Sequence, residues 1–208
     1  NLPSSAFLGG ISENFKSNFD YNGNQFSVVE ADEYDRSFLN LSPDWAVVTS
    51  IDADHLDIYG DRVQIEDGFR QFAGLVPNDN HLFVRKGIAI GREHKTYAVN
   101  EEADYYSDNL RMDHDKIYFD FHTPTQIIED FVWEIPGIHN VENATVALAI
   151  LSNLGVDFDT LKKAIASFKG IKRRYTKHIF DNGKIYIDDY AHHPTELNAV
   201  IGSIKTFY

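Results

Sequence analysis

Several residue types and patterns are missing from this 208-residue sequence, and each absence excludes a class of protein. It contains no cysteine, which removes disulfide bonds and thiolate metal sites and fits a cytoplasmic protein. No apolar run is long enough to span a bilayer, and no secretory signal is visible. Basic residues are scarce: 19 Lys and Arg against 32 Asp and Glu give a net charge of −13. A chain this acidic is poorly suited to bind nucleic acid or an anionic membrane surface.

Two further absences concern the ends of the chain and its nucleotide chemistry. Residue 1 is Asn1, the only methionine is Met112, and the helical pattern that runs to Tyr208 has no Gly, Asn or Pro stop signal. We therefore interpret the chain as a piece of a longer protein. No Gly-x-x-x-x-Gly-Lys-Ser/Thr phosphate-binding loop occurs in the sequence.

What the sequence does contain is an alternation of short apolar runs and helical patterns. Residues 26–30 and 45–51 lack strict alternation, which is typical of strands buried on both faces of a parallel sheet. Helical spacing predicts helices over 35–41, 65–76, 141–151 and 159–168. Asp159 is the expected N-cap of the last of these helices. Short strands, some of them antiparallel, are predicted at 82–84, 88–90, 96–99, 116–121 and 131–133.

The C-terminal part of the sequence predicts a second unit. Residues 170–175 read as a linker, 184–187 alternate as a strand does, and a helix begins near Pro194. We predict one domain over 1–170, and over 171–208 a linker with the opening strand and helix of another domain. The fold class is α/β: a mostly parallel central sheet flanked by helices, with additional antiparallel strands around 81–134 and a partial second α/β unit at the C-terminus.

The turn at 188–196, with the sequence DDYAHHPTE, carries the densest polar cluster. Asp188 and Asp189 follow the predicted strand, and His192 and His193 stand just before the proline that opens the helix. In open α/β sheets such a turn, outside the carboxyl end of a strand, is where ligands bind. Two acids and two histidines there are hard to explain by packing alone, so the turn is a candidate site.

Carboxylates also collect where the earlier strands end. Residues 30–35 contain four of them, a hard-oxygen set suited to Mg²⁺, and Glu30 closes its strand. For the other three acids a solvated loop is the simpler interpretation. His55 follows the next predicted strand, and if the two strands are parallel, Glu30 and His55 leave the sheet at the same edge. Imidazole is a less usual Mg²⁺ ligand, and only its pairing with Glu30 raises His55 above a structural histidine.

Two weaker patterns complete the candidates. Asn140 and Asn143 lie three apart at the start of a helix and share a face, where carboxamides can pair with an adenine edge. The simpler interpretation makes Asn140 an N-cap and Asn143 a surface residue.

Lys172, Arg173 and Arg174 form the one dense basic cluster, in the predicted linker. Arginine there is suited to neutralise a transferring phosphoryl group, or is an ordinary solvated linker residue.

Taken together and in this order, the motifs resemble those of the Mur ligase family, the ATP-dependent amide-bond-forming enzymes of peptidoglycan precursor synthesis. The segments that carry the resemblance span nearly the whole chain and are 29–35, 52–55, 136–143, 173–175 and 188–196. Five motifs in family order are far more specific than any one of them. They leave little room for an acidic α/β domain whose motifs are coincidental.

The resemblance implies ATP and Mg²⁺ as cofactors and a set of catalytic residues. Glu30 and His55 would hold Mg²⁺ near the ATP γ-phosphate and the forming acyl phosphate. Arg174 would reach the phosphates across the domain boundary. His192 and His193 would lie at the interface near the nucleotide or the amino-acid substrate, with roles that the motif does not separate.

The resemblance also implies a nucleotide-binding set. Asn140 and Asn143 would approach the adenine, and Asp189 would accept from the ribose hydroxyls. Arg173, beside Arg174, would contribute to phosphate binding. The segment 1–170 would then be the family's central ATPase domain, and 171–208 the start of its C-terminal ligase domain.

The family's chemistry gives the expected reaction and its alternatives. The carboxylate of UDP-N-acetylmuramate is phosphorylated by ATP, and the amine of L-alanine then attacks the acyl phosphate. A murein-tripeptide recycling enzyme of the same family shares much of the motif set, so a tripeptide is the alternative amine. A non-catalytic nucleotide-binding module is the alternative from another class. Neither nucleic acid nor a membrane is implied as a partner.

Two departures from the family pattern are visible. Ser50 stands where the family usually has asparagine before the Asp-His motif. The family's phosphate-binding loop, its UDP-sugar domain and most of its third domain do not occur in this sequence. We therefore expect these 208 residues alone neither to hydrolyse ATP nor to ligate.

Overall fold

The computed structural model describes residues 2–51, 59–113 and 116–207 and has an α/β fold. Its strands are β1 (Ser4–Phe7), β2 (Phe19–Tyr21), β3 (Phe26–Val29), β4 (Ala46–Val48), β5 (Leu82–Arg85), β6 (Lys95–Val99), β7 (Tyr105–Asp113), β8 (Lys116–His122), β9 (Ile127–Trp133), β10 (Thr176–Ile179) and β11 (Ile185–Asp188). Its α-helices are α1 (Arg62–Gly74), α2 (Ile138–Asn153), α3 (Phe158–Ala166) and α4 (Pro194–Phe207). None of the described helices is long and apolar enough to cross a bilayer.

The central sheet has six strands in the order β4-β5-β6-β7-β8-β9. The pairings from β4 to β7 are parallel, whereas β8 pairs antiparallel with both β7 and β9. The predicted mostly parallel sheet, with antiparallel strands between 81 and 134, is confirmed. At the described edge of this sheet β4 ends at Val48, and the chain continues into Thr49 and Ser50.

Each face of the central sheet is covered by helices. On one face α1 packs its apolar side onto β4 and β5, with Phe72, Val76, Leu82 and Val84 almost fully buried. On the other face α2 and α3 pack on the later strands, in a cluster that includes Phe119, Phe131, Val141, Leu148 and Leu161. Both clusters follow from apolar positions at helical spacing facing buried strands.

β3 does not lie in the central sheet, contrary to expectation. It pairs in parallel with β1 in a separate sheet ordered β2-β1-β3, so it is not a neighbour of β4. Val28 and Val29 are 57% and 45% exposed, so the prediction of burial on both faces is wrong. The cause is that β3 is an edge strand of this small sheet within the described residues.

Other element predictions need smaller corrections. Residues 88–90 have no regular secondary structure and do not form a strand, although Ile90 is buried. The helix α3 is capped by Asp157, whose side chain accepts a hydrogen bond from Thr160 N, and not by Asp159. The predicted crossover helix is a 3₁₀ segment, Tyr34–Asn40, interrupted by residues with positive φ. The strand β7 was not predicted at all.

A charged side chain closes the C-terminal end of α1. Arg92 donates from Nη1 to the carbonyl oxygens of Ala73 and Val76, at 2.7 and 3.0 Å. The same guanidinium pairs with Asp79. The last carbonyls of a helix lack intrahelical partners, so Arg92 supplies a donor to Val76 O just beyond α1 and a second donor to Ala73 O, which also accepts from Val76 N.

A buried carboxylate stabilises the antiparallel strands. Asp120 on β8 is 8% exposed and accepts hydrogen bonds from Asn109 Nδ2 (2.7 Å) and Asp130 N (3.0 Å). Arg111 Nη2 lies 3.2 Å from the same carboxylate. Desolvation raises the pKa of Asp120, but these hydrogen bonds and the charge of Arg111 outweigh it, so the pKa lies below its ordinary value.

The C-terminal unit forms the predicted strand-turn-helix and a preceding strand. β10 and β11 pair as an antiparallel hairpin, and α4 begins at Pro194. The linker before β10 contacts the N-terminal sheet region, since Ser12 bridges to Ile171 and Lys172 N donates to Ile11 O at 2.8 Å. The 188–196 turn lies beside the central sheet, since His193 lines one pocket together with Val47 and Val48 of β4.

Candidate active site

A pocket of about 210 Å³ opens at the carboxyl end of β4. Thr49 and Ser50 line it where β4 ends, and Glu33 lines it from the segment after β3. The turn before α4 and the helix itself contribute His193 and Glu196. Segments from two of the predicted motifs, 29–35 and 188–196, therefore meet beside the end of β4, as the strand-end rule for α/β sheets leads one to expect.

Glu30, directly after β3, lies against a glycine backbone. Its Oε2 accepts a hydrogen bond from Gly9 N at 2.7 Å, and a Cβ at Gly9 would lie only 2.7 Å from Oε1. The segment that follows is fixed by Tyr59, a buried residue whose hydroxyl donates to Glu33 O at 2.6 Å. Glu30 itself stays exposed and its carboxylate retains lone pairs, so it can also bind a cation.

The proposed partner of Glu30 is not tested by the geometry. His55 lies within 52–58, outside the described residues. Over 2–51, 59–113 and 116–207 no group of three His, Asp or Glu residues is arranged to hold a metal ion. Mg²⁺ commonly binds through one or two carboxylates, with water and substrate phosphates as its other ligands, so an exposed Glu30 fits such a site.

The two linker arginines both face the 188–196 turn. Arg173 Nε lies 3.7 Å from Asp188 Oδ1, and its guanidinium lies 5.0 Å from the ring centre of Tyr190. Arg174 Nη1 lies 3.9 Å from Glu196 Oε1. The basic cluster is therefore not a free linker segment, because both side chains are directed to the turn that carries the fifth motif.

Asp189 ties the linker to this turn. Its Oδ2 accepts from Tyr175 N and its Oδ1 from Ala191 N, both at 2.7 Å. Arg173 and Tyr175 have φ values of 61° and 54°, a left-handed conformation that is unfavourable for side chains of their size. Asp189 therefore holds a strained linker in place, a structural role beside the ribose contact that the resemblance implies.

The two asparagines of α2 differ in their surroundings. Asn140 is half-buried and donates from Nδ2 to Pro136 O at 2.6 Å, while Asn143 is exposed. The N-cap of α2 is Gly137, with φ of 107°, so the interpretation of Asn140 as the N-cap is wrong. Since both residues lie in the first turns of α2, they do share a helix face, as expected.

The structure separates the two histidines of the turn. His193 is half-buried and lines the pocket at the end of β4. His192 is exposed, and its Nδ1 lies 3.0 Å from Tyr190 O. Of the pair, His193 is therefore the one placed to meet a ligand in this pocket.

Two residues near the site were not singled out from the sequence. Glu196 accepts hydrogen bonds at Oε2 from His192 N (3.1 Å) and His193 N (3.4 Å). The signal for it was present, because a glutamate three residues after a helix N-cap forms a capping box. Desolvation raises the pKa of Glu196, but these amides and the charge of Arg174 outweigh it and leave the pKa below its usual value.

His139 is the second such residue. Although much of its surface is accessible, desolvation of the imidazole is the main cause that lowers its pKa, while the nearby Asp189 carboxylate opposes the shift and the Arg174 charge adds to it. The charges that act on the pKa of His139 therefore include one from the linker and one from the 188–196 turn. It follows that the start of α2 adjoins these two segments.

A second pocket of about 480 Å³ lies beside the linker. Its lining includes four basic residues, Lys116, Lys169, Arg174 and Lys177, and two acidic ones. In a chain with a net charge of −13 this local excess of positive charge is unusual. It suits an anionic group near Arg174.

Comparison with known proteins identifies the class first. Residues 12–151 match the profile of the Mur ligase middle domain. Because this match covers more than half of the chain, the chain belongs to the Mur ligase family.

Two curated relatives carry the same name. The UDP-N-acetylmuramate--L-alanine ligase of Christiangramia forsetii is 45% identical over 203 residues, which are 98% of this chain and 44% of that protein. The enzyme of the same name from Flavobacterium psychrophilum is 46% identical and is matched over 98% of this chain and 45% of its own length. The chain therefore spans a little under half the length of these curated relatives.

A solved structure has the same fold. The crystal structure of UDP-N-acetylmuramate-alanine ligase from Thermotoga maritima superposes with a TM-score of 0.84 at 23% sequence identity. The superposition covers 99% of this chain and 48% of that one. The predicted α/β fold of Mur ligase type is thereby confirmed.

Proposed function

We propose that this chain is the middle portion of an ATP-dependent ligase that joins L-alanine to UDP-N-acetylmuramate. The observation that carries the proposal is the pocket at the end of β4, where Glu33 from the 29–35 motif meets Ser50 and, from the 188–196 motif, His193 and Glu196. The names of the relatives in two organisms support the choice of reaction. In this proposal residues 1–170 belong to the central ATPase domain, and 171–208 form the linker and the start of the C-terminal ligase domain.

Glu30 is the described residue best suited to hold Mg²⁺, with His55 as the second ligand in the proposal. The carboxylate of Glu30 is exposed and lies on the Gly9 backbone, so its position is fixed without being closed to a cation. When bound, Mg²⁺ neutralises charge on the phosphates during transfer. Glu30 fixes where that positive charge is placed.

Arg174 and Arg173 are proposed to meet the phosphates. Phosphoryl transfer from ATP to a carboxylate forms a bond between a carboxylate oxygen and the γ-phosphorus and breaks the bond to ADP. Negative charge therefore builds on the oxygens of the transferring phosphoryl group. A guanidinium offers several donors in a fixed plane for these oxygens. The amine of L-alanine then attacks the acyl carbon, and phosphate leaves with one oxygen of the original carboxylate.

The adenine and the ribose of the nucleotide are proposed to bind at α2 and at the 188–196 turn. Asn140 and Asn143 lie on one face of the first turns of α2 and can donate to and accept from an adenine edge. Asp189 already accepts two backbone amides, yet each carboxylate oxygen has a second lone pair for a ribose hydroxyl. His193 lines the pocket and is placed to meet the reacting groups, with His192 beside it.

The partners in this proposal are small molecules: ATP, UDP-N-acetylmuramate and L-alanine. The acidic balance of the chain argues against nucleic acid and anionic membrane surfaces as partners. A cytoplasmic location follows from the proposed substrates, since a nucleotide-linked sugar and ATP are cytoplasmic metabolites.

The test is an ADP-release assay on the full-length protein that contains this chain. With Mg-ATP and UDP-N-acetylmuramate, we expect ADP release to depend on L-alanine and to fall to a low but measurable residual rate in Arg174→Ala. Release that depends instead on a murein tripeptide would assign the recycling reaction. Nucleotide binding without release for either amine would indicate a non-catalytic module. The 208-residue chain by itself serves as the control without turnover.

A further inference from the structure

The carboxylate of Glu196 touches two segments that are far apart in sequence. Its Oε2 atom accepts hydrogen bonds from the backbone nitrogens of His192 and His193, at 3.1 and 3.4 Å. Its Oε1 atom lies 3.9 Å from Nη1 of Arg174 in the linker. One side chain therefore joins the turn before α4 to the arginine that precedes β10.

The first of these contacts is ordinary helix capping. Glu196 is the third residue of α4, and a glutamate at this position commonly accepts from the amide of the N-cap residue. Glutamine in the same place would accept the same hydrogen bonds through its amide oxygen. Capping therefore requires an oxygen acceptor at position 196 but not a negative charge.

The second contact is not explained by capping. Arg174 lies outside α4, and 3.9 Å is too long for a hydrogen bond, so the interaction is between charges. Among the described residues none accepts a hydrogen bond from the Arg174 guanidinium. Its donors thus remain available for an anionic ligand while the charge of Glu196 acts on its orientation.

The two side chains also line different pockets. Glu196 lines the pocket at the end of β4, whereas Arg174 lines the larger basic pocket beside the linker. Arg174 thus lines the basic pocket, while its Nη1 lies 3.9 Å from a carboxylate that lines the neighbouring pocket with Ser50 and His193. In the proposed reaction the transferred phosphoryl group lies in that same pocket.

We propose that Glu196 is a positioning residue that orients Arg174 toward the pocket at the end of β4. The proposal rests on the proposed function, because only there does Arg174 meet a phosphate. Glu196 does not contact the phosphate, since two anions would repel each other. Its effect passes through Arg174.

The test compares Glu196→Gln with Asp157→Asn in the full-length protein. Asp157 caps α3 by accepting from Thr160 N at 2.9 Å, so its variant also removes one negative charge at a helix N-terminus, but away from Arg174. Because exposed ion pairs are weak, we expect Glu196→Gln to lower kcat about two- to fivefold, with little change in KM for ATP. Asp157→Asn should leave kcat unchanged, and the two variants should melt within a few degrees of each other.

A second pair of variants separates positioning from folding. In an Arg174→Ala background, which lacks the guanidinium, Glu196→Gln should have no further effect on the residual kcat, in contrast to its effect in the wild-type background. An equal loss in both backgrounds, or a loss that follows a lower melting temperature, would overturn the positioning role. If Arg174→Ala itself retains full turnover and ATP affinity, the phosphate role of Arg174 fails and the role of Glu196 fails with it. The two failures are distinguishable. Only a failure of the phosphate role of Arg174 leaves Arg174→Ala fully active.

Discussion

Replacing Gly137 by alanine tests the contact between the start of α2 and α4. The N-cap Gly137 has φ of 107° and ψ of 133°, a conformation that residues with a side chain rarely adopt. A Cβ there would lie 2.6 Å from His139 Cε1 and 2.9 Å from Ser203 Oγ on α4. The substitution therefore adds crowding across two units to a strained backbone.

A matched control separates the contribution of backbone strain to the loss of stability from the contribution of crowding. Gly155, after the end of α2, has φ of 79° but no atom within 4 Å of its would-be Cβ. Gly155→Ala should therefore cost about 1–2 kcal/mol from the left-handed backbone alone. Gly137→Ala should cost about 2–5 kcal/mol, because overpacking adds roughly 1–3 kcal/mol to the strain.

Urea unfolding followed by tryptophan fluorescence measures both free energies of unfolding. Trp133, at the end of β9, is buried and reports on the core near the start of α2. We expect the midpoint of Gly137→Ala to fall clearly below that of Gly155→Ala with an unchanged slope. Equal losses for the two variants would refute the close approach of Ser203 and His139 to Gly137.

Three further outcomes are expected. Arg92→Ala removes the hydrogen bonds to the carbonyls of Ala73 and Val76 and should lower the free energy of unfolding by about 1–3 kcal/mol in the same urea assay. The folded pKa of Asp120 lies below its ordinary 3.8, so its contribution to stability is present above that value and is lost as pH falls through the folded pKa; Asp120→Asn should flatten the decline of stability below about pH 4. Glu30→Gln in the full-length protein should raise the Mg²⁺ concentration needed for ATP binding about tenfold or more, measured by calorimetry across a Mg²⁺ series.

The parallel strands were predictable because burial on both faces demands continuous apolar runs. Leu82, Phe83 and Val84 on β5 are all fully buried, and their run was recognised. β7 was not, because polar residues such as Arg111 are accommodated on it by partners on neighbouring strands. Ile90 shows the converse, since a buried apolar residue in an irregular segment has the same apolar pattern as a strand.

The parts of the candidate site that follow strand ends were predictable from the sequence. The parts that depend on contacts between segments distant in sequence were not. Glu30 was chosen because it closes a strand and His193 because it lies in a strand-to-helix turn, and His193 does line the pocket beside β4. The charge contact between Arg174 and Glu196 could not be predicted, because it depends on how the linker folds back toward α4. His139 was missed for the same reason, since the charges around it come from distant segments.

The central claim is that ATP activates a carboxylate so that an amine can displace phosphate from it. The most direct test gives the full-length protein UDP-N-acetylmuramate labelled with ¹⁸O in its carboxylate, together with Mg-ATP and L-alanine, and analyses the released phosphate by mass spectrometry. An acyl phosphate transfers one labelled oxygen to each phosphate, so we predict singly labelled phosphate and the alanyl product in equal amounts. Unlabelled phosphate, or release of AMP and pyrophosphate instead of ADP, would contradict the account.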